Sequence, residues 1–370
     1  MICARGWIKK AVLGEIDFAG VCPPDGGVEY APIFIFRRIG TIITATKGGC
    51  ALDAVTAVQL TKTYGDICAV RDLTLSIPQG GVFGLLGVRG AGKTSVVRML
   101  CGLAKPTGGE CSVLGRSPAK NPAGVHAVCG VMVESAKLYA HMTGQQNLLF
   151  FAQAAGMGDT AAARRASGLM KDLELWEARD LPVSQYSTGM LQKLSLARAM
   201  VNYPSVLLLD EPTSGLDYES AHAVNALVSK FAEREDTTVL LCTRQLHYAQ
   251  HICTEFGILD NGELVASGDF QSLREAAGCR AHAEFRLREG DSLEQFHTDE
   301  TSASAPAFHN GWWRAELRGE EEMPFLLRQI VEKGHDVLEA RLVEPTLQDI
   351  YKRTLEHRSK KEGETDAFTG

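Results

Sequence analysis

The feature that most constrains this chain is Gly87-Val88-Arg89-Gly90-Ala91-Gly92-Lys93-Thr94, which fits G-x-x-x-x-G-K-[ST]. It follows Val82-Phe83-Gly84-Leu85-Leu86, a short apolar run that reads as a fully buried strand. After it, residues 91–103 read as a helix with Val96, Val97, Leu100 and Leu103 on one face. Strand, glycine loop and helix together are the setting that a phosphate-binding loop requires. The glycines let backbone N–H groups turn toward an anion, and the helix aims the positive end of its dipole at it. Lys93 supplies a point charge to the β- and γ-phosphate oxygens, and Thr94, with Ser95 beside it, offers a hydroxyl to Mg2+. The loop works through its backbone, so the side chain of Arg89 is read as pointing outward.

A second motif completes a nucleotide site. Val206-Leu207-Leu208-Leu209 is a buried strand, and it ends in Asp210-Glu211-Pro212. Asp210 is placed to hold Mg2+, directly or through water. Glu211 is placed to polarise an attacking water as general base. The plainer reading is a strand end with two solvated acids, and the phosphate loop argues against it. Elsewhere the pattern predicts helices over 188–201 and 218–235, a strand over 237–241 and mostly helix over 144–181. Residues 55–60 and 69–77 alternate as strands do. Alternating strands and helices predict an α/β fold with a largely parallel sheet.

A third motif selects a family. Ser187-Thr188-Gly189-Met190-Leu191-Gln192 opens a helix, and with the two motifs above it resembles the signature of ATP-binding cassette (ABC) ATPases. The usual form there is L-S-G-G-Q; the Y-S-T-G-M of this chain is similar to that of separate-chain exporter ATPases. The resemblance runs from about 55 to 268. It implies a P-loop NTPase of the ABC type, with a parallel-sheet core, an antiparallel β subdomain and a helical subdomain. It also implies ATP and Mg2+ as ligands. Tyr64 takes the place of the aromatic that stacks on adenine, and Ser214-Gly215-Leu216-Asp217 matches the D-loop. Head-to-tail pairing with a second cassette, identical or not, would bring Ser187 and Gly189 of one chain to the γ-phosphate held by the other. Ser187 is also a helix N-cap in its own right.

Two positions depart from the family pattern. Glu134 stands where a Gln usually ligates Mg2+, and a carboxylate keeps that capacity. Arg244 stands where a His usually contacts the γ-phosphate. A permanent guanidinium there either weakens turnover or clamps the transition state. His247, one turn later, is an alternative phosphate contact.

Around the cassette the composition changes. Residues 1–54 carry no motif and read as an accessory or poorly ordered extension, with strand-like runs at 33–36 and 41–46. Residues 55–270 form the nucleotide-binding domain. Residues 271–356 form a small α/β appendage with a helix near 323–333. Its end, Glu344-Pro345-Thr346-Leu347-Gln348-Asp349-Ile350-Tyr351, resembles the close of exporter ATPases. The appendage is read as a packing unit without a ligand, with Trp312 and Trp313 in its core or at a dimer contact. Residues 357–370, rich in Lys and Glu, read as a disordered tail.

With 38 Lys and Arg against 45 Asp and Glu, the formal charge of −7 argues against a nucleic-acid partner held by a basic surface. Ten cysteines without a C-x-x-C spacing give no support to a zinc site and fit a reducing, cytoplasmic setting. There is no apolar run of about 18 residues. The expected role is therefore the ATP-hydrolysing subunit of an exporter, peripheral on the cytoplasmic face of the membrane and docked on a separate permease chain. The alternatives are a regulatory cassette with little turnover and a soluble ABC ATPase outside transport. A single phosphate loop, with no long coiled coil between it and the signature, disfavours the second.

Overall fold

The computed structural model describes residues 35–38, 41–44, 53–133, 138–234, 237–293, 296 and 306–366. In chain order the strands and helices are β1 (Ile35–Arg38), β2 (Thr41–Thr44), β3 (Asp53–Tyr64), β4 (Ile67–Pro78), β5 (Val82–Leu86), α1 (Lys93–Leu100), β6 (Gly108–Val113), α2 (Pro122–His126) and β7 (Cys129–Met132). There follow α3 (Gly144–Ala154), α4 (Asp159–Asp172), α5 (Thr188–Met200), β8 (Val206–Asp210), α6 (Tyr218–Arg234), β9 (Thr238–Thr243), α7 (Leu246–Ile252), β10 (Glu255–Asp260), β11 (Glu263–Gly268) and α8 (Phe270–Ala276). The C-terminal part contains β12 (His282–Leu287), β13 (Ala307–His309), β14 (Trp312–Glu316), α9 (Glu322–Glu332), β15 (Val337–Val343) and α10 (Leu347–Asp366).

The main sheet has the order β1-β2-β11-β10-β5-β9-β8-β7, and it is parallel from β10 through β7. Every residue of β5, β8 and β9 is buried, which explains their continuous apolar runs. The pleat still sorts their side chains. Val206, Leu208, Leu240 and Cys242 join the cluster that holds α1 and the antiparallel sheet β4-β3-β6. Leu207, Leu209, Val239 and Leu241 join the cluster of α3, α4, α5 and α6. Helix α1 is thus pressed between two sheets, with Val96, Val97 and Leu100 fully buried.

The helix after the phosphate loop is shorter than the sequence predicts. Gly92 caps it at φ 109° and Cys101 ends it, so Leu103 is 65% exposed and does not share the buried face. The extension also needs correcting. Strands β1 and β2 form an antiparallel hairpin, and β2 pairs parallel with β11 through Ala266–Ile42 and Ser267–Ile43. Part of the segment read as accessory therefore extends the main sheet, and residues 53–54 already belong to β3.

In the appendage, the antiparallel sheet β13-β14-β12-β15 packs α9 on one face, around Phe285, Trp313, Leu326 and Ile330. Trp313 is in that core, whereas Trp312 is half-buried on the opposite face, its ring centroid 4.0 Å from the Arg341 guanidinium carbon. The same face carries Glu284, 1% exposed, paired with Arg314 Nε and Arg341 Nη2 at 2.5 Å each. The tail read as disordered is helical to Asp366. Its Lys and Glu residues are good helix formers. Arg358 anchors it, donating to Glu263 Oε2 at 2.8 Å and the Asp260 carbonyl at 3.1 Å. Among the described residues, no helix is long and apolar enough to cross a membrane.

Candidate functional site

Three loops meet where parallel strands end side by side. Leu86 of β5 is in register with Thr243 of β9, and Asp210 of β8 with Cys242 of β9. Ligand sites of open α/β sheets form at such carboxyl ends. The loop after β5 is shaped by its glycines. A Cβ on Gly87 would stand 2.5 Å from the Leu259 carbonyl oxygen, and one on Gly92 would strike the Ala69 carbonyl. Gly90, at φ 87°, supplies a left-handed turn. The result is a cradle of backbone closing onto the first turn of α1, where Lys93, Thr94 and Ser95 lie. Val88, Arg89 and Gly90 are exposed, and Ala91 is buried beneath. The exposure of Arg89 agrees with an outward side chain.

Lys93 is buried, and its Nζ donates to the carbonyls of Gly87 at 2.6 Å and Val88 at 3.0 Å. The same Nζ lies 3.6 Å from Glu211 Oε1. Asp210 is fully buried at the end of β8, and its charge helps push the Cys242 thiol up, burial of that thiol being the larger cause. Glu211 follows in a left-handed conformation, φ 50°, with its N–H on the Cys242 carbonyl at 2.9 Å. Burial pushes its carboxyl above the usual range, and the charge of Asp210 adds to this. Lys93, then Arg244 through its charge and its backbone N–H, pull the other way. The departure at Arg244 thus sits beside the carboxylate that the sequence picks as base. The His247 ring packs on His251, centroids 4.9 Å apart, and on Tyr248.

The remaining predicted positions surround this centre or lie apart from it. Tyr64, at the β3–β4 turn, is 43% exposed, so its ring is open for stacking, with Lys62 Nζ 4.8 Å from the centroid. Ser187 caps α5 by accepting from Met190 N–H at 3.3 Å, which fits the N-cap reading. Gly189 has Ser220 next to it, and Asp217 accepts from the Ser220 N–H and hydroxyl, which hold its carboxyl below the usual range. Gln192 Nε2 reaches the Ser214 carbonyl at 3.4 Å, so the signature helix touches the D-loop of its own chain. Glu134 lies outside the described residues. Among those described, no cluster of three or more His, Cys, Asp or Glu is arranged to hold a metal.

Sequence reasoning missed Thr213 and Gln245. The buried Thr213 hydroxyl donates to Gln245 Oε1 at 2.5 Å, tying the turn after Glu211 to the residue after Arg244. The bond spans 32 positions, and nothing local in the sequence announces it.

The ABC transporter family model matches residues 70–214. A bacitracin transport ATP-binding protein of Bacillus licheniformis is 30% identical over 302 residues, covering 80% of this chain and 95% of that protein. A daunorubicin resistance ATP-binding protein of Streptomyces coeruleorubidus is 37% identical over 229 residues, covering 61% and 70%. Among solved structures, the ATP-binding subunit of an ABC transporter aligns at TM-score 0.57 and 27% identity, over 65% of this chain and 97% of that one. A dimeric post-hydrolysis cassette bound to ADP and Pi aligns at TM-score 0.53 and 24% identity, over 58% and 98%, a likeness of fold.

Proposed function

We propose, for a chain that belongs to the ABC transporter family of ATP-binding proteins, that it is the ATP-hydrolysing subunit of an exporter whose permease is a separate chain. The observation that carries the reading is the meeting of Lys93, Asp210, Glu211 and Arg244 at the adjoining ends of β5, β8 and β9. The bacitracin transport relative, matched over nearly its whole length, supports the exporter class.

In this reading the loop N–H groups and Lys93 bind the phosphates, and Tyr64 stacks on adenine. Thr94, Asp210 and Glu134 would hold Mg2+, which would supply positive charge against the phosphates. The structure suits such a group: the loop is open at Gly90, where a Cβ would meet nothing within 4 Å, and Asp210 is a fully buried carboxylate at the end of β8. Glu211 takes the proton of the water that attacks the γ-phosphorus, the bond to the ADP oxygen breaks, and phosphate departs. Burial raises the Glu211 pKa, and Lys93 and then Arg244 pull it back down. Ser187 and Gly189 of a second cassette complete the site on closure, so ATP drives pairing and hydrolysis releases it. The permease docks on the cytoplasmic side at the exposed aromatic cluster of Tyr139 and Phe150, ring centroids 5.1 Å apart, beside the Thr143–Gln146 capping box of α3.

The test is Lys93→Ala. The loop loses its cation, and productive ATP binding should vanish in a fluorescent-nucleotide titration. Undiminished affinity refutes the site.

A further inference from the structure

We infer that Thr213 and Gln245 are positioning residues, a side-chain latch that holds the segment carrying Arg244 against Glu211. The inference rests on the proposed role of Glu211 as base. Three segments are involved: the end of β8, the turn that follows it, and the link from β9 to α7. Their backbones meet through the Glu211 N–H on the Cys242 carbonyl at 2.9 Å. The Arg244 N–H in turn donates to the Glu211 carboxylate. Beyond Arg244 the chain would be free to swing away from the turn, and there the Thr213 hydroxyl donates to Gln245 Oε1 at 2.5 Å. Gln245 is itself fixed, its N–H donating to Thr243 Oγ1 at 3.0 Å. Arg244 is therefore bracketed on both sides. One turn further, the Tyr248 hydroxyl donates to the Tyr218 carbonyl at 3.3 Å and keeps α7 on the end of the D-loop.

The turn has reason to need such a restraint. Glu211 is a non-glycine residue at φ 50°, a conformation that persists only where neighbours over-determine it. Its own turn supplies one bond, Ser214 N–H to the Glu211 carbonyl at 3.1 Å. The Thr213–Gln245 bond supplies a second from across the site, and Thr213 is 2% exposed, so water does not compete for it. Neither Thr213 nor Gln245 is among the groups proposed to touch ATP or Mg2+. Their effect is on where Arg244 and the Glu211 carboxylate stand.

The experiment is steady-state ATP hydrolysis by the full chain as a function of ATP, for Thr213→Val, Gln245→Leu, the double variant and Thr213→Ser. Thr213→Val keeps the volume and removes the hydroxyl. The expected result is a kcat about tenfold lower in each single variant, with KM for ATP within about twofold of the parent. The double variant should be no worse than either single, because both break one bond. Thr213→Ser should restore the rate.

Unchanged kcat in Thr213→Val and Gln245→Leu overturns the latch. So does a Thr213→Ser protein as impaired as Thr213→Val, or a joint loss in kcat and in affinity for ATP, which would mark general damage to the fold. Glu211→Gln run in parallel separates the two levels. A control that hydrolyses at the parental rate sinks the base assignment and the latch with it. An inactive control beside an unaffected Thr213→Val sinks the latch alone.

Discussion

Replacing Glu211 by Gln separates proton transfer from everything else the site does. The glutamine has the same shape, and its side-chain oxygen can still accept from the Arg244 N–H that bonds the carboxylate. What disappears is the charge. Lys93 and Glu211 are 6% and 12% exposed and 3.6 Å apart. At an effective dielectric of about 20, attraction at that distance is about 4–5 kcal/mol before desolvation is set against it. That attraction holds Lys93 partly toward Glu211 and away from an incoming phosphate. Without it, Nζ keeps the Gly87 and Val88 carbonyls as partners among the described residues. ATP should therefore bind at least as tightly as in the parent. Hydrolysis should fall by about 10²–10⁴, the usual contribution of a positioned general base, which is about 3–5 kcal/mol of activation free energy.

Two readouts suffice: phosphate release under single-turnover conditions, and size-exclusion chromatography with and without Mg-ATP. The variant should release phosphate slowly and, with ATP no longer consumed, accumulate as a dimer. A parental rate would place the base elsewhere. Slow hydrolysis together with much weaker ATP binding would show that the carboxylate supports nucleotide binding, against the electrostatic argument.

Two further predictions concern charged groups, one in the site and one in the appendage. Arg244→Gln keeps the backbone N–H on Glu211 but removes a cation that lowers its pKa, so the acid limb of the rate profile should move to higher pH; a plateau rate that instead collapses tenfold or more would identify Arg244 as a transition-state clamp. In the appendage, burial would raise the Glu284 pKa, but the hydrogen bond and charge of Arg341 and the charge of Arg314 outweigh it and hold the carboxyl below the usual range. Its contribution to stability is thus present above the unfolded value of about 4.3 and lost as pH falls through the folded one. Glu284→Gln should lower the melting temperature at pH 7 and flatten its acid dependence, as read by calorimetry from pH 7 to 3; an unchanged pH slope would refute the pairing.

The parts of the molecule legible in sequence were those where one local pattern has one physical solution. Val82–Leu86 and Val206–Asp210 can be nothing but buried strands, and the glycine loop needs both a strand before it and a helix after it. Boundaries failed where a single backbone angle decides, as at Gly92, which ends the loop two residues later than the apolar pattern suggests. Composition misled at 357–366, because Lys and Glu serve a solvated helix as well as a disordered tail. The Glu284 pairs were not legible at all. The strand His282–Leu287 shows one acid on its polar face, and the two arginines that bury it arrive from β14 and β15. The Thr213–Gln245 bond was hidden for the same reason: its meaning depends on a register that only the folded sheet creates.

The division of the chain by composition, cassette before about 270 and appendage after, is not its division by packing. Leu347 and Ile350 of α10 share a core with Leu86, Phe256, Ile258, Ala266 and Leu273. Leu86 is the last residue of the strand that enters the phosphate loop. The floor of that loop is the Leu259 carbonyl, under Gly87, and the next residue, Asp260, accepts from Arg358 of α10 through its backbone carbonyl. Arg358 also grips Glu263, across the β10–β11 turn. The last helix therefore braces the strand pair on which the phosphate loop rests, while β12, β14 and α9 form a separate core. A chain cut after Gly268 would lose not only the appendage but the apolar cover of Leu86, and the rigidity of the glycine cradle would go with it.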